Sequence, residues 1–250
     1  MPVSKKDYQA RPDLLKDRII LVTGAGSGIG AAAAKSFAAH GATVILLGRT
    51  TRKLETIYDE IEAAGHPTPA IYPMNLEGAT PEDHIQLAET LEKEFGRLDG
   101  LLHNASILGN LTPLSQYNME HWGKVMQVNL NAPYLMTRAC LGVLNKSEDA
   151  SVVFTSSSVG RKGRAYWGAY GISKAAVENM MQIWADELEA NTPIRVNSIN
   201  PGATRTSMRT RAYPGEDPAS NPEPEAIMAA YLYLMGPDSK GSTGEQFDAQ

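Results

Sequence analysis

The stretch RIILVTGAGSGIG, Arg18–Gly30, decides the fold. Its first half, Arg18–Gly24, is a short apolar run rich in β-branched residues and predicts a strand. Ser27–His40 follows as an alanine-rich helix, with Gly41 as its stop. Gly24, Gly26, Ser27, Gly28, Ile29 and Gly30 make the join. Glycine there lets the backbone turn tightly and approach a pyrophosphate. The helix N-terminus adds unpaired N–H groups and positive partial charge. A glycine run alone is weak evidence, but a strand before it and a helix after it are the context a dinucleotide loop requires.

The same alternation continues outward. Strands are predicted at Thr43–Leu47, Ala70–Leu76, Leu98–Ala105, Ser151–Ser157 and Ile194–Asn200, with a weak seventh at Gln246–Asp248. Helices are predicted at Lys53–Ala64, Pro81–Phe95, Met119–Asn131, Ala132–Asn145 and Ala169–Ala190. Thr80 is a candidate N-cap and Gly96 a stop. Apolar strands separated by helices imply an α/β fold: a doubly wound parallel sheet of about seven strands, with helices on both faces and ligand at the strands' carboxyl ends. No repeat or linker divides the chain. Residues 1–17 read as a mobile arm packed loosely beside the first strand, and 18–250 as a single dinucleotide-binding and catalytic domain. The irregular, proline-rich stretch 203–224 reads as a substrate loop over the ligand edge.

Composition narrows the function. The chain has 250 residues, 42% hydrophobic and 20% charged, with a net charge of -5. With no long basic run, nucleic acid and anionic membrane are poor partners. No segment approaches the roughly 18 continuous apolar residues of a membrane span, and the charged first residues lack the apolar run of a secretory signal. The one cysteine, Cys140, excludes an internal disulfide. It suits a cytoplasmic protein and reads as a core residue. No metal site is expected.

The end of the second strand bears on the cofactor. Dehydrogenases that use NAD place an acid there for the ribose 2′-hydroxyl. Here Gly48 and Arg49 stand instead, and no carboxylate occurs from Thr43 to Lys53. A guanidinium at Arg49, helped by Thr50 and Arg52, can clamp a 2′-phosphate. NADP (NADPH) is therefore expected over NAD. Tyr170 and Lys174 lie four residues apart on one predicted helix, and so on one face. An ammonium near a phenol favours the phenolate, which lets a tyrosine act as acid or base nearer neutral pH. Ser156, Ser157 and Ser158 offer hydroxyls at the ligand end of the fifth strand.

The glycine spacing (Gly24, Gly28, Gly30), the Tyr170/Lys174 pair and a serine thirteen residues before the tyrosine (157 to 170) resemble the short-chain dehydrogenase/reductase family. The stretches VMQVNLNAPYLMTRA and FTSSSVGRKGRAYWGAY resemble its YciK-type bacterial branch. The resemblance covers the chain from about Asp17 onward and implies a single-domain Rossmann fold. It selects Ser157 among the three serines and adds Asn129 as a fourth catalytic position, whose backbone would hold a water linked to Lys174. Asn75 and Leu76 would meet the adenine, with Asn75 replacing the family's aspartate. Asn104 and Ala105, in His103-Asn104-Ala105-Ser106, would contact the adenine ribose, leaving His103 structural. Pro201, Gly202, Thr204 and Thr206 would meet the nicotinamide and pyrophosphate, and Tyr170 and Lys174 the nicotinamide ribose.

The implied reaction is hydride transfer between nicotinamide and a small-molecule carbonyl or alcohol, with Tyr170 as general acid/base. Two other readings stand beside it: a catalytically silent NADP(H)-sensing regulator on the same scaffold, and an epimerase or dehydratase. A homodimer or homotetramer through the Ala132–Leu144 and Ala169 helices is implied. The substrate pocket is expected around Ile107, Leu108, Arg164, Tyr166 and Trp167. Arg161, Lys162 and Arg164 read as a solvated turn, with attraction of an anionic substrate as the alternative.

Overall fold

A computed structural model describes residues 2–250. Eight strands form one sheet: β1 Val3–Ser4, β2 Ile19–Thr23, β3 Thr43–Gly48, β4 Ala70–Pro73, β5 Gly100–His103, β6 Ala150–Thr155, β7 Ile194–Asn200 and β8 Gln246–Asp248. Their order is β1-β8-β7-β6-β5-β2-β3-β4, and every pair is parallel. The helices are α1 Gly28–Ala39, α2 Thr51–Ala63, α3 Pro81–Phe95, α4 Met119–Met126, α5 Ala132–Leu144, α6 Ser158–Arg161, α7 Gly168–Glu189, α8 Ser207–Ala212 and α9 Met228–Met235.

Strand alternation sorts the core into two layers. Ile20, Val22, Val44 and Leu46 join one cluster with residues of α1, α2 and α9. Leu21, Ile45 and Leu47 join the other with residues of α3, α5 and α7. Side chains two apart share a face, so these near-continuous apolar strands are buried on both sides. The expected doubly wound fold is borne out, with eight strands rather than about seven. The additional one, β1, has only two residues and pairs Val3 with Phe247 and Ser4 with Asp248.

Two other regions depart from expectation. Residues 2–17 are anchored at points although most are exposed: Leu14 and Leu15 are buried, and Leu15 N–H donates to His40 O at 2.9 Å. The 203–224 stretch is less irregular than its prolines imply. It holds α8, capped by the Thr206 hydroxyl, and a 3₁₀ turn at Pro218–Ser220. Between α4 and α5 the chain passes through a π turn, Gln127–Asn131, without a break. No described helix is long and apolar enough to cross a membrane.

The sheet places the site. From β2 the chain moves to β3 and β4 on one side, then returns to β5 on the other. Crossovers diverge at this switch point, which opens a crevice above the carboxyl ends of β2 and β5.

Candidate active site

Thr23 holds the crevice in shape. Its hydroxyl donates to Leu102 O at 3.2 Å and accepts from the N–H groups of Asn104 and Ala105, each at 3.0 Å. Asn104 Nδ2 donates back to Thr23 O at 3.2 Å. The ends of β2 and β5 are thereby tied together below the glycine loop. Gly24 sits at φ 69°, a conformation that disfavours side chains. A Cβ on Gly30 would lie 2.3 Å from Gly24 O, so only glycine permits α1 to start this close to the strand.

Above the loop lies a cleft of about 410 Å³. Its floor is Gly24, Gly26, Ser27, Gly28 and Ile29, and its walls include Arg49, Asn75, Asn104, Tyr170 and Thr206. The start of α1 has no side-chain cap and no acid in its first turn. Its N–H groups and dipole are thus left for an anion. Arg49 and Lys53 line the cleft and have no ion-pair partner among the described residues. The cradle fits a diphosphate, and the end of β3 fits a further phosphate.

At the other side of the crevice, three elements bring Ser157, Tyr170 and Lys174 together. Ser157 is the N-cap of α6, straight after β6, with its hydroxyl beside the Tyr170 phenol. Tyr170 and Lys174 stand on the first turns of α7, with the ammonium 5.7 Å from the phenol ring centre. Lys174 Nζ donates to Thr155 O at 2.7 Å. Burial pushes the Tyr170 hydroxyl up to about 12, against the neighbouring Ser157 hydroxyl, which pulls it down. Burial brings Lys174 down to about 8, and the Glu178 carboxylate opposes that fall. Two groups normally near pH 10 are thus pushed apart by desolvation.

Behind this group runs a network of charges. Glu178 accepts from Arg161 Nε at 3.1 Å and from the Ser198 hydroxyl at 2.6 Å. Arg161 also donates to Asp248 Oδ1 at 2.7 Å and Phe247 O at 2.9 Å. Gly160 lets the helices touch: a Cβ there would lie 2.8 Å from the Lys174 backbone. The network therefore pins α6, which carries Ser157, to α7 and to β8.

With the fold and this geometry in hand, the chain can be set against known proteins. A model of the short chain dehydrogenase family matches residues 18–217. The chain belongs to that family. This short-chain dehydrogenase is 52% identical over 243 residues to the uncharacterized oxidoreductase YciK of Escherichia coli (strain K12), over 97% of this chain and 96% of the relative. A short-chain dehydrogenase structure from Pseudomonas syringae matches with a TM-score of 0.96 and 61% identity, over 98% of this chain and 99% of that one. Another from Escherichia coli CFT073, complexed with NADPH, matches with a TM-score of 0.93 and 51% identity, over 96% and 100% of the two chains. The expected YciK-type resemblance is borne out.

Most sequence-predicted positions of this short-chain dehydrogenase reach the cleft. Leu76, Ala105 and Pro201 line it with the residues already named, as do Ile107 and Leu108. Gly30 lies just beneath, in the first turn of α1. Gly202 and Thr204 fall outside the cleft lining, and the Gln250 amide donates to Thr204 Oγ1 at 3.2 Å. The Asn75 side-chain oxygen accepts from Glu77 N–H at 3.3 Å, which leaves one lone pair free. The Asn129 side chain is committed: Oδ1 accepts from Ile107 N–H, and Nδ2 donates to Ile107 O and Ser173 Oγ. Only its backbone, within the π turn, is open to other work. His103 is buried, bonded to Thr137 Oγ1 at 2.8 Å and pushed down to about 3 by desolvation, so it stays neutral.

Other expectations need correction. Arg52 does not line the cleft beside Arg49 and Thr50, whereas Lys53 does. One residue further into the first turn of α2, Lys53 faces the glycine loop, its Cβ 2.9 Å from where a Gly26 Cβ would stand. Helix phase at the N-terminus is the signal that distinguishes the two. Arg161 is not in a solvated turn, because its neighbours Glu178 and Asp248 come from distant segments. Arg164, Tyr166 and Trp167 lie outside the cleft lining, though Trp167 packs on Tyr170 with ring centres 5.7 Å apart. From the stretch 203–224, expected over the site, Met208 and Arg211 on α8 do line the cleft.

Proposed function

We propose that this short-chain dehydrogenase is an NADP(H)-dependent oxidoreductase interconverting a carbonyl and an alcohol, with Tyr170 as general acid/base. One observation carries the reading: Tyr170, with Lys174 one turn behind it on α7, lines the same cleft whose floor is the uncapped start of α1. Gly24, Gly26, Ser27, Gly28 and Ile29 would hold the diphosphate. Arg49 and Lys53 would hold the 2′-phosphate, with no acid from Thr43 to Lys53 to select NAD. The NADPH complex of the Escherichia coli CFT073 relative supports this choice. Asn104 and Ala105 would face the ribose, Asn75 and Leu76 the adenine, and Pro201, Gly202, Thr204 and Thr206 the nicotinamide half.

The bound nicotinamide supplies or accepts the hydride. The Ser157 hydroxyl holds the substrate oxygen. Tyr170 gives that oxygen a proton during reduction and takes one during oxidation. The Lys174 ammonium lowers the cost of the phenolate, and Asn129 orders the route by which the proton is replaced. Positioning and preorganised charge are the protein's contribution. Tyr170→Phe is expected to lower turnover at least about a thousandfold while NADPH affinity stays within about threefold. NADPH is expected to bind more tightly than NADH by calorimetry. Near-normal turnover in Tyr170→Phe, or tighter NADH, overturns the respective part. The outer sides of α5 and α7 are assigned to homo-oligomer contacts.

A further inference from the structure

The oxidoreductase reading leaves the substrate open, and α8 supplies a clue. Residues 205–211 contain Arg205, Arg209 and Arg211. Two of these arginines are spent within the protein. Arg205 pairs with Glu223 and donates to Pro218 O at 3.0 Å. Arg209 forks Glu216 with two bonds of 2.6 Å and stacks on Tyr213 at 3.8 Å. Arg211 has no hydrogen-bond or ion-pair partner among the described residues, yet it lines the cleft.

Its surroundings define what it faces. Arg211 lies three residues after Met208, so the two share a side of α8. Met208 and Ala212 pack against the cluster of Leu108, Val159 and Tyr170. This end of the cleft is therefore an apolar wall around the Tyr170 hydroxyl with one unspent cation at its edge. Glu77 is the only carboxylate among the cleft's lining residues, and it is paired with Lys124 at 3.6 Å. Arg49 and, in the first turn of α2, Lys53 follow directly on β3. That strand is four positions from β7, about 19 Å at ~4.8 Å per strand.

Resting on the oxidoreductase reading, we propose that the substrate is an apolar carbonyl compound bearing an oxyanion group, and that Arg211 selects it. With its carbonyl at Tyr170, the substrate's apolar body lies along Leu108 and Met208. A carboxylate or phosphate beyond that body meets the exposed guanidinium at the cleft's edge, whose planar fork matches such groups.

The test compares benzaldehyde, 4-formylbenzoate and 4-formylphenyl phosphate with NADPH in wild type, Arg211→Ala and Arg211→Lys. Wild type is expected to favour an anionic aldehyde in kcat/KM by about tenfold or more. Whichever anion leads identifies the group as carboxylate or phosphate. Arg211→Ala is expected to bring the anionic-to-neutral ratio near one, mainly through KM, and Arg211→Lys to restore part of it. NADPH affinity is expected to stay within about twofold in both variants. A wild-type preference for benzaldehyde, or an unchanged ratio in Arg211→Ala, overturns the proposal. Equal loss of NADPH affinity makes Arg211 a cofactor residue and overturns it too. If none of the three turns over, thermal shifts of the NADPH complex carry the same comparison, and no larger shift for the anions overturns it. The oxidoreductase reading fails on a different result: no NADPH oxidation with any carbonyl of a broad neutral panel.

Discussion

Lys174 shows how chemistry and stability compete at a single residue. Its ordinary pKa of 10.5 falls to about 8 in the fold because it is desolvated. Between those values the unfolded chain binds more protons than the folded one, so this residue's contribution makes stability rise with pH. Below about pH 8 the charged form is present in both states and the fold carries the whole penalty. At ~1.4 kcal/mol per pKa unit that penalty is about 3 kcal/mol. Lys174→Met removes it but also loses the hydrogen bond to Thr155 O. A net gain of about 1–2 kcal/mol at pH 7 is expected, or a Tm higher by about 4 °C, with almost no turnover. The gain should vanish above about pH 10.5. Melting curves at the two pH values check this; an unchanged or lower Tm at pH 7 refutes it. In wild type, carbonyl reduction is expected to slow above about pH 8, as the ammonium that supports the Tyr170 phenolate is lost.

At the scale of elements, the contact between α6 and α7 fixes the distance from Ser157 to Tyr170. Arg161 and Glu178 hold that contact, with side chains only 16% and 6% exposed. Glu178→Gln leaves Arg161 with one acidic partner, Asp248, and takes from Lys174 its only acidic neighbour on α7. Tyr170 and His103 also neighbour Lys174, and neither replaces the lost charge. A stability loss of about 3 kcal/mol is expected. The upper limb of the pH–rate profile for reduction is expected to move to lower pH, because Lys174 loses its proton sooner. Glu178→Asp should restore part of both effects. A destabilised variant with an unmoved pH profile would show the pair to be structural only.

This network also marks the boundary of what sequence can reveal. The glycine loop, α1 and the apolar strands are local patterns, written in neighbours a few residues apart, and they were legible. Tyr170 and Lys174 were legible as a pair because one helix carries them four residues apart, whereas Ser157 was singled out from its neighbours Ser156 and Ser158 only by the family resemblance. Arg161 was not, because its partners lie 17 and 87 positions away and an arginine between Gly160 and Lys162 looks solvated. β1 escaped for a similar reason: two residues have no periodicity, and their strand character comes from pairing with Phe247 and Asp248. In α8 the cap at Thr206 was a readable signal, but the prolines from Pro214 onward obscured six helical residues.

For the molecule as a whole, the unsettled surface is the outer side of α5 and α7. Both helices pack inward on the same core layer, and Tyr134 stacks on Trp184 between them at 6.2 Å. Their outer sides leave Tyr134, Ile172 and Ile183 exposed by 42%, 40% and 51%. The buried Trp184 indole N–H finds no partner within the described residues. Single exposed apolar residues are ordinary, but three on two adjacent helices beside an unpartnered indole point to a covered face. Burial against a second copy would add apolar area; a stable interface needs about 1,200 Å² or more in total. Sedimentation velocity at micromolar concentration is expected to show a dimer or tetramer. Tyr134→Glu with Ile183→Glu should shift it to monomer, since charges at an interface centre cost several kcal/mol. Both side chains point away from the core, so the far-ultraviolet circular dichroism of the double variant should match wild type. A wild-type monomer, or an assembly indifferent to both substitutions, rules this face out.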